Sequence, residues 1–327
     1  MRYVLALSLT AVLALPAAAQ KAGTIRPATG GQTSSTRLRE VVVTFDDLPF
    51  VAGRPMGIDE QERLTKGLVD MITRYRIPAI GFVNEDKLEV QGNVDPRRVD
   101  LLRRWTKAGL ELGNHTYAHL DLHQVSAERY RDDILRGEKT TRELMAEVKQ
   151  KPRFFRHPFL HTGRDTVIRH GVESFLEDHG YRVAPVTIDN YDYVFARAYD
   201  RAIATKDTSL QRRVRVEYLD YMDRVLMYYE RQSIALMGRN IPHVLLLHAN
   251  TLNAHTFELL VNGYKKRGYS FVPLPQALQD QAYSLPDAYA GDAGITWLHR
   301  WALTQGRSGA VFAGEPEVPK WIERAAN

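Results

Sequence analysis

The sequence predicts an α/β protein built on a parallel sheet, and two observations carry that expectation. Short apolar runs, among them residues 41–45, 79–83 and 244–248, alternate along the chain with stretches of helical periodicity. Such alternation is what strands linked by crossover helices produce. In addition, Asp46, Asp47, His115, Arg156, Asp189 and His248 each fall at or just past the C-terminal end of an expected strand. A closed barrel gathers its chemistry at that end, so the second observation favours a barrel over an open sheet.

The elements follow in order. Residues 1–19 read as a secretory signal: Arg2 gives the charged start, 4–15 an apolar run, and Ala17-Ala18-Ala19 before Gln20 a small-residue cleavage site. The apolar run is short for a bilayer span, so no stable membrane anchor is expected and the chain reads as exported, periplasmic or extracellular, from a bacterium. Residues 20–39, rich in Gly, Ser and Thr, read as a flexible lead. The run 41–45 is a buried-strand pattern. Residues 59–75 have helical spacing with Leu64, Leu68, Met71 and Ile72 on one face. A strand is expected at 79–83, a helix capped by Asp95 at 96–108, and a short strand at 110–113. Residues 126–148 read as one helical stretch capped by Ser126. Then come a strand at 153–156, a helix at 166–179, and strands at 181–185 and 244–248. A helix at 255–267 and a last strand at 270–272 complete the alternation.

Two segments stand outside it. Residues 208–237 form a long helical pattern with Val214, Tyr218, Tyr221, Val225, Tyr229 and Ile234 at its apolar positions, read as a packed helix rather than a lid or dimer face. Residues 284–327 carry Trp297, Trp301, Phe312 and Trp321 among Gly and Pro and are expected to pack on the barrel.

Composition narrows the chemistry. The 327 residues include no cysteine, which excludes disulfides, thiolate catalysis and Cys-ligated zinc. Any metal must be held by His, Asp or Glu. The net charge of +5 comes from scattered Lys and Arg, with a local cluster only at 211–215. With no zinc finger, RNP aromatic set or basic heptad region, no nucleic-acid partner is expected. Asn114-His115-Thr116 is a formal glycosylation sequon inside the expected site, where a glycan would block chemistry, in keeping with a bacterial, unglycosylated route.

Five short stretches carry the chemistry: Thr44-Phe45-Asp46-Asp47, His115-Thr116-Tyr117-Ala118-His119, Arg156-His157-Pro158-Phe159, Asp189-Asn190-Tyr191-Asp192-Tyr193 and Leu246-Leu247-His248. They supply the metal ligands, base, cation and acid that amide or ester hydrolysis on a metal needs. His115 and His119 are four apart, so a helical turn would place both imidazoles on one side. Thr116 stands where an H-E-x-x-H metalloprotease requires Glu. His123 extends the spacing, but three histidines and a carboxylate would close the site, so His123 reads as supporting. Adjacent residues on an extended chain point in opposite directions, so one of Asp46 and Asp47 can bind metal while the other faces elsewhere in the cleft. His248, after an apolar strand, can donate a proton near neutrality.

The ordered set resembles the polysaccharide deacetylases of the NodB-homology type (carbohydrate esterase family 4), over roughly residues 41–278. The resemblance implies a distorted (β/α)7 barrel at 40–283 with N- and C-terminal extensions. It implies zinc, or another divalent transition metal, held by Asp47, His115 and His119. Asp46 would be the general base, Arg156 would keep it ionised, and Asp192 would orient His248 as the acid. Phe159, where the family usually has Tyr, would offer its backbone N–H to the oxyanion. Tyr193 replaces the family's Trp and would wall the acetyl pocket beside Leu246. Asp189 reads as structural, and His161 as cleft-lining or supporting.

The implied activity is removal of N-acetyl groups from peptidoglycan-like or chitin-like glycans. An O-acetyl esterase on xylan or exopolysaccharide is the same-class alternative. A non-catalytic glycan-binding relative is the other, and it should have lost a ligand or the base that this chain retains. Oligomeric state is left open.

Overall fold

The computed structural model describes residues 39–307 and 309–327. The expected signal and, apart from Arg39, the expected lead lie outside the described residues.

The described residues form nine strands: β1 (Arg39–Val51), β2 (Ile80–Val83), β3 (Glu89–Val90), β4 (Asn93–Val94), β5 (Glu111–Asn114), β6 (Phe154–Phe155), β7 (Arg182–Val183), β8 (His243–Asn250) and β9 (Tyr269–Phe271). Seven make one sheet in the order β7-β6-β5-β2-β1-β8, with β9 on the first residues of β1. Every pair in it is parallel. The chain after β7 then reaches the other edge: Ile188 bridges Leu245 of β8, with Leu246 N–H donating to Ile188 O at 3.1 Å. That bridge curls the sheet toward closure, as the barrel expectation requires. β3 and β4 form a separate antiparallel hairpin that periodicity did not reveal.

Alternation along β1 decides what faces where. Val41, Val43 and Phe45 pack outward against helices, whereas Val42 joins Ile80, Phe82, Phe154 and Val244 in an inner cluster. Thr44 and Asp46 continue the inner face by the two-residue period. The inside of the curled sheet is thus apolar at its start and polar at its C-terminal end.

The helices are α1 (Ile58–Arg74), α2 (Pro96–Lys107), α3 (Ala127–Arg136), α4 (Lys139–Glu147), α5 (Thr166–Asp178), α6 (Asp192–Ala204), α7 (Thr208–Met237), α8 (Thr251–Lys266), α9 (Leu274–Ala277), α10 (Trp297–Thr304) and α11 (Lys320–Ala326). α1 buries Leu64, Leu68 and Ile72 as its pattern foretells. Asp95 caps α2 through Arg97 N–H at 2.9 Å, with Pro96 at the first helical position. α7 has the expected bounds and buries Val214, Tyr218, Tyr221, Val225 and Tyr229, while Ile234 is exposed.

The stretch 126–148 is not one helix. It breaks at Gly137 into α3 and α4, although Ser126 does cap α3 through Arg129 N–H. A Cβ at Gly137 would meet Thr116 C and Tyr117 N at 2.5 Å. The break therefore seats α3 directly against the loop that carries the histidine pair. α6, α9, α10 and α11 were not foreseen. Trp301 and Ile322 of the C-terminal segment are buried in the main core, and Tyr228 of α7 hydrogen-bonds His299 at 3.0 Å. Among the described residues, no helix is long and apolar enough to cross a membrane.

Candidate active site

The site forms where the C-terminal ends of β1, β5, β6 and β8 converge on a cavity of about 590 Å3. β1 is bulged between Phe45 and Leu48, and Asp47 takes a left-handed backbone with φ 66°. This bulge turns Asp47 into the same cleft as Asp46, where a regular strand would have sent it to the opposite face. Asp47 Oδ1 stands 3.6 Å from His115 Nε2 and 3.4 Å from His119 Nε2.

The two histidines do not sit on a helical turn, contrary to the expectation from their spacing. They lie on the loop after β5, in which Thr116 (φ 65°) and His119 (φ 52°) are left-handed. Such conformations are costly for non-glycine residues and persist where surroundings fix them. Here Asn114 Oδ1 accepts from Thr116 N–H (2.7 Å), Asn84 Nδ2 donates to His115 O (2.6 Å), and Asp133 Oδ2 accepts from Ala118 N–H (3.0 Å). His115 Nδ1 pairs with Arg156 O at 2.7 Å, which leaves Nε2 with its lone pair toward Asp47.

Asp47, His115 and His119 suit a divalent cation. Their ligand atoms converge within 4.8 Å, and buried Asp47 Oδ1 makes no hydrogen bond. Two imidazoles and a carboxylate are also a donor set that zinc accepts. Burial pushes His115 well below the usual imidazole range and lowers His119, so both are neutral, as ligands must be. Burial alone would raise Asp47, but Lys87 and the facing histidines outweigh it and hold the carboxyl below its ordinary value. Lys87, whose Nζ is 3.3 Å from Asp47 Oδ1, carried no sequence signal.

Asp46 is gripped by Arg156, whose Nη1 donates to both carboxylate oxygens at 3.1 Å. That guanidinium is wholly buried. Its Nε donates to Ala184 O (2.9 Å) and its Nη2 to Thr44 Oγ1 (3.2 Å), and its plane covers Phe82. Burial raises Asp46 to about 6 against the lowering pull of Arg156.

On the far side, Asp192 opens α6 fully buried. Its Oδ1 pairs with His248 Nδ1 at 2.7 Å, and its Oδ2 accepts from His248 N–H and from Asn253 Nδ2 at 2.9 and 2.7 Å. Tyr218 of α7 donates to Asn253 Oδ1 at 2.6 Å, so the long helix braces this pair. Burial would lower His248, yet Asp192 prevails and raises it to about 9.

Phe159 is left-handed (φ 58°) and half exposed, its ring edge-on to His119 at 4.6 Å, and its N–H makes no hydrogen bond among the described residues. Tyr193 stands edge-on to His248 at 6.0 Å, and Leu246 lines the cavity wall. Asp189, read as structural, also lines the cavity, and burial raises it to about 6. The C-terminal segment supplies Gly294, where a Cβ would overlap Phe159 O. Nothing in the sequence marked that glycine. All ten expected site residues are thus in or against one cavity.

A curled parallel α/β sheet with an Asp–His–His group and a separate Asp–His pair over its C-terminal ends defines a barrel-like α/β protein with a candidate metal and acid–base site. More particularly, the model of the polysaccharide deacetylase family matches residues 33–184 of this chain. Asp192, Tyr193, Leu246 and His248 lie beyond that segment, and folding brings them to it. The chain is similar to the chitin deacetylase of Colletotrichum lindemuthianum, 27% identical over 154 residues, 47% of this chain and 52% of that protein. It is similar to the chitooligosaccharide deacetylase of a Bradyrhizobium species, 30% identical over 129 residues, 39% of this chain and 49% of that one. A peptidoglycan-N-acetylglucosamine deacetylase of Bacillus cereus is 27% identical over 120 residues, 37% of this chain and 36% of that one. The chain thus spans about half the length of these relatives, or less.

Proposed function

We propose that this chain is an exported, metal-dependent deacetylase that removes N-acetyl groups from amino-sugar glycans of the chitin or peptidoglycan kind. One observation carries the reading. Arg156-held Asp46 and Asp192-held His248 line the same cavity as the Asp47–His115–His119 group. The substrates named for the three relatives support the choice of glycan. Export rests on the signal pattern of residues 1–20.

Zinc or a similar ion held by Asp47, His115 and His119 would supply Lewis-acid polarisation of the acetamide carbonyl and of the attacking water. Asp46 takes the proton from that water, and Arg156 keeps its carboxylate ionised and aimed. As oxygen adds to the carbonyl carbon, the free Phe159 N–H donates to the developing oxyanion. His248 passes its proton to the leaving nitrogen as the C–N bond breaks. Acetate and the free amine result. Tyr193 and Leu246 wall the acetyl methyl.

The proposal is tested by mass spectrometry of a panel of glycans after incubation with the metal-loaded full chain. Loss of acetyl groups from N-acetylglucosamine oligomers is expected. Acetate release from acetylated xylan alone would establish the O-acetyl esterase reading instead. Sugar binding without acetate release from any member would establish the non-catalytic one.

The pH profile gives a second expectation. Asp46 must be deprotonated and His248 protonated, so activity should rise through the pKa of Asp46 and fall through that of His248. Burial raises Asp46 to about 6 and Asp192 raises His248 to about 9, and a bound cation would displace both downward. Asp192→Asn removes the charge that raises His248, so the alkaline limb should move to lower pH. An unmoved limb in that variant would mean that another group sets it.

A further inference from the structure

Beside the Asp47 group lies a second cluster that the proposed chemistry leaves unused. Asp121, His123 and His161 bring one ligand-type atom each within 4.8 Å of one another. Its geometry is wrong for a cation. The His123 and His161 rings are stacked, with centroids 3.9 Å apart and planes 9° apart. An ion binds in the plane of an imidazole, on the nitrogen lone pair, so an ion in the plane of one stacked ring lies off the plane of the other. Furthermore, Gly163 N–H donates to His123 Nε2 at 3.2 Å. That bond puts the ring proton of His123 on Nδ1, where no lone pair remains for a metal.

What the cluster does arrange is one acceptor. Asp121 Oδ1 accepts from His123 N–H at 2.8 Å and pairs with His161 Nδ1 at 2.7 Å. The carboxylate fixes His161 with its proton on Nδ1, so Nε2 carries a free lone pair. His161 lines the same cavity as the candidate catalytic residues, and its Nε2 makes no hydrogen bond among the described residues. The stack on His123 holds the ring, and the exposed Phe159 ring lies 5.7 Å away. Phe159 in turn touches His119. One aromatic ring, comparable in width to a sugar ring, therefore separates His161 from the group that would act on the acetamide.

We propose that His161 Nε2 accepts a hydrogen bond from a hydroxyl of the sugar unit adjoining the acetylated one, with Asp121 as the positioning residue behind it. The ligand class is a polyhydroxylated chain of at least two units. The inference rests on the glycan reading above.

The test uses the metal-loaded full chain and a tetramer of N-acetylglucosamine. His161→Phe keeps a flat ring on His123 and deletes both nitrogens. It should weaken tetramer binding about tenfold in calorimetric titration and raise KM by a similar factor, with kcat changing by less than about twofold. Asp121→Asn, which keeps the acceptor but loses the charge, should move KM in the same direction by less. Metal content should be the same in both variants as in the wild type. Tetramer affinity that ignores His161 while the wild type releases acetate overturns this inference alone. A loss confined to kcat, or a second equivalent of metal that disappears with His161→Phe, also overturns it. Tetramer binding that depends on His161 without any acetate release overturns the deacetylase reading and leaves this one standing, and no glycan binding at all overturns both.

Discussion

Asp46→Asn should keep its metal and lose turnover by about 10²–10⁴-fold, the usual worth of a positioned general base. The amide is nearly isosteric with the carboxylate but cannot take a proton from water. It also cannot accept two hydrogen bonds from Arg156 in place of the present pair at 3.1 Å. A wholly buried guanidinium then loses its counter-charge, so a lowered melting temperature should accompany the loss of activity. Metal analysis and kcat on an acetylated oligomer, measured on one preparation, decide the matter. If metal is lost while turnover survives, Asp46 and Asp47 have exchanged roles.

His119→Ala should abolish metal binding and, with it, activity, while the fold persists. The choice among the three ligands is physical. His115 is buried and its Nδ1 pairs with Arg156 O, so removing it disturbs the core around the base. Asp47 is tied to Lys87. His119 is partly exposed, and its side chain faces Asp47 and its own backbone rather than the core, so its loss reports on ligation rather than on folding. Metal content measured beside the circular dichroism spectrum should fall to trace with the spectrum unchanged. Metal retained at the wild-type level would remove His119 from the site.

The parallel sheet, its main helices and the gathering of the ten candidate residues at one end of it were legible because each rests on local pattern. Apolar runs mark buried strands, and polar residues at the ends of those runs mark the cleft. What was hidden depends on contacts distant in sequence. The break at Gly137 is imposed by the close approach of Thr116 and Tyr117, twenty residues earlier, and helical periodicity runs across it unaltered. The His115–His119 loop defeats the i, i+4 reading because its left-handed residues are fixed by Asn84, Asn114 and Asp133, none of which announces itself. Likewise the bulge at Asp47 is a tertiary choice, since an alternating strand is the default for the same residues. Asn253 and Lys87 serve the site from elements whose sequence shows only ordinary helix or turn chemistry. His123 stands apart from the Asp47–His115–His119 group, and its part in holding His161 was not foreseen.

Gly294 abutting Phe159 O has a consequence for the chain during synthesis. Once residue 283 has emerged, every proposed ligand, the base and the acid are already present. The wall against the oxyanion-side turn is not, and the core positions filled by Trp301 and Ile322 are still vacant. The cleft proposed for catalysis is therefore complete only with residues 284–327 in place. A molecule cut before residue 284 would hold the full set of proposed reactive groups around a cleft with one side missing, and acetate release would report whether residues 284–327 had been made and seated.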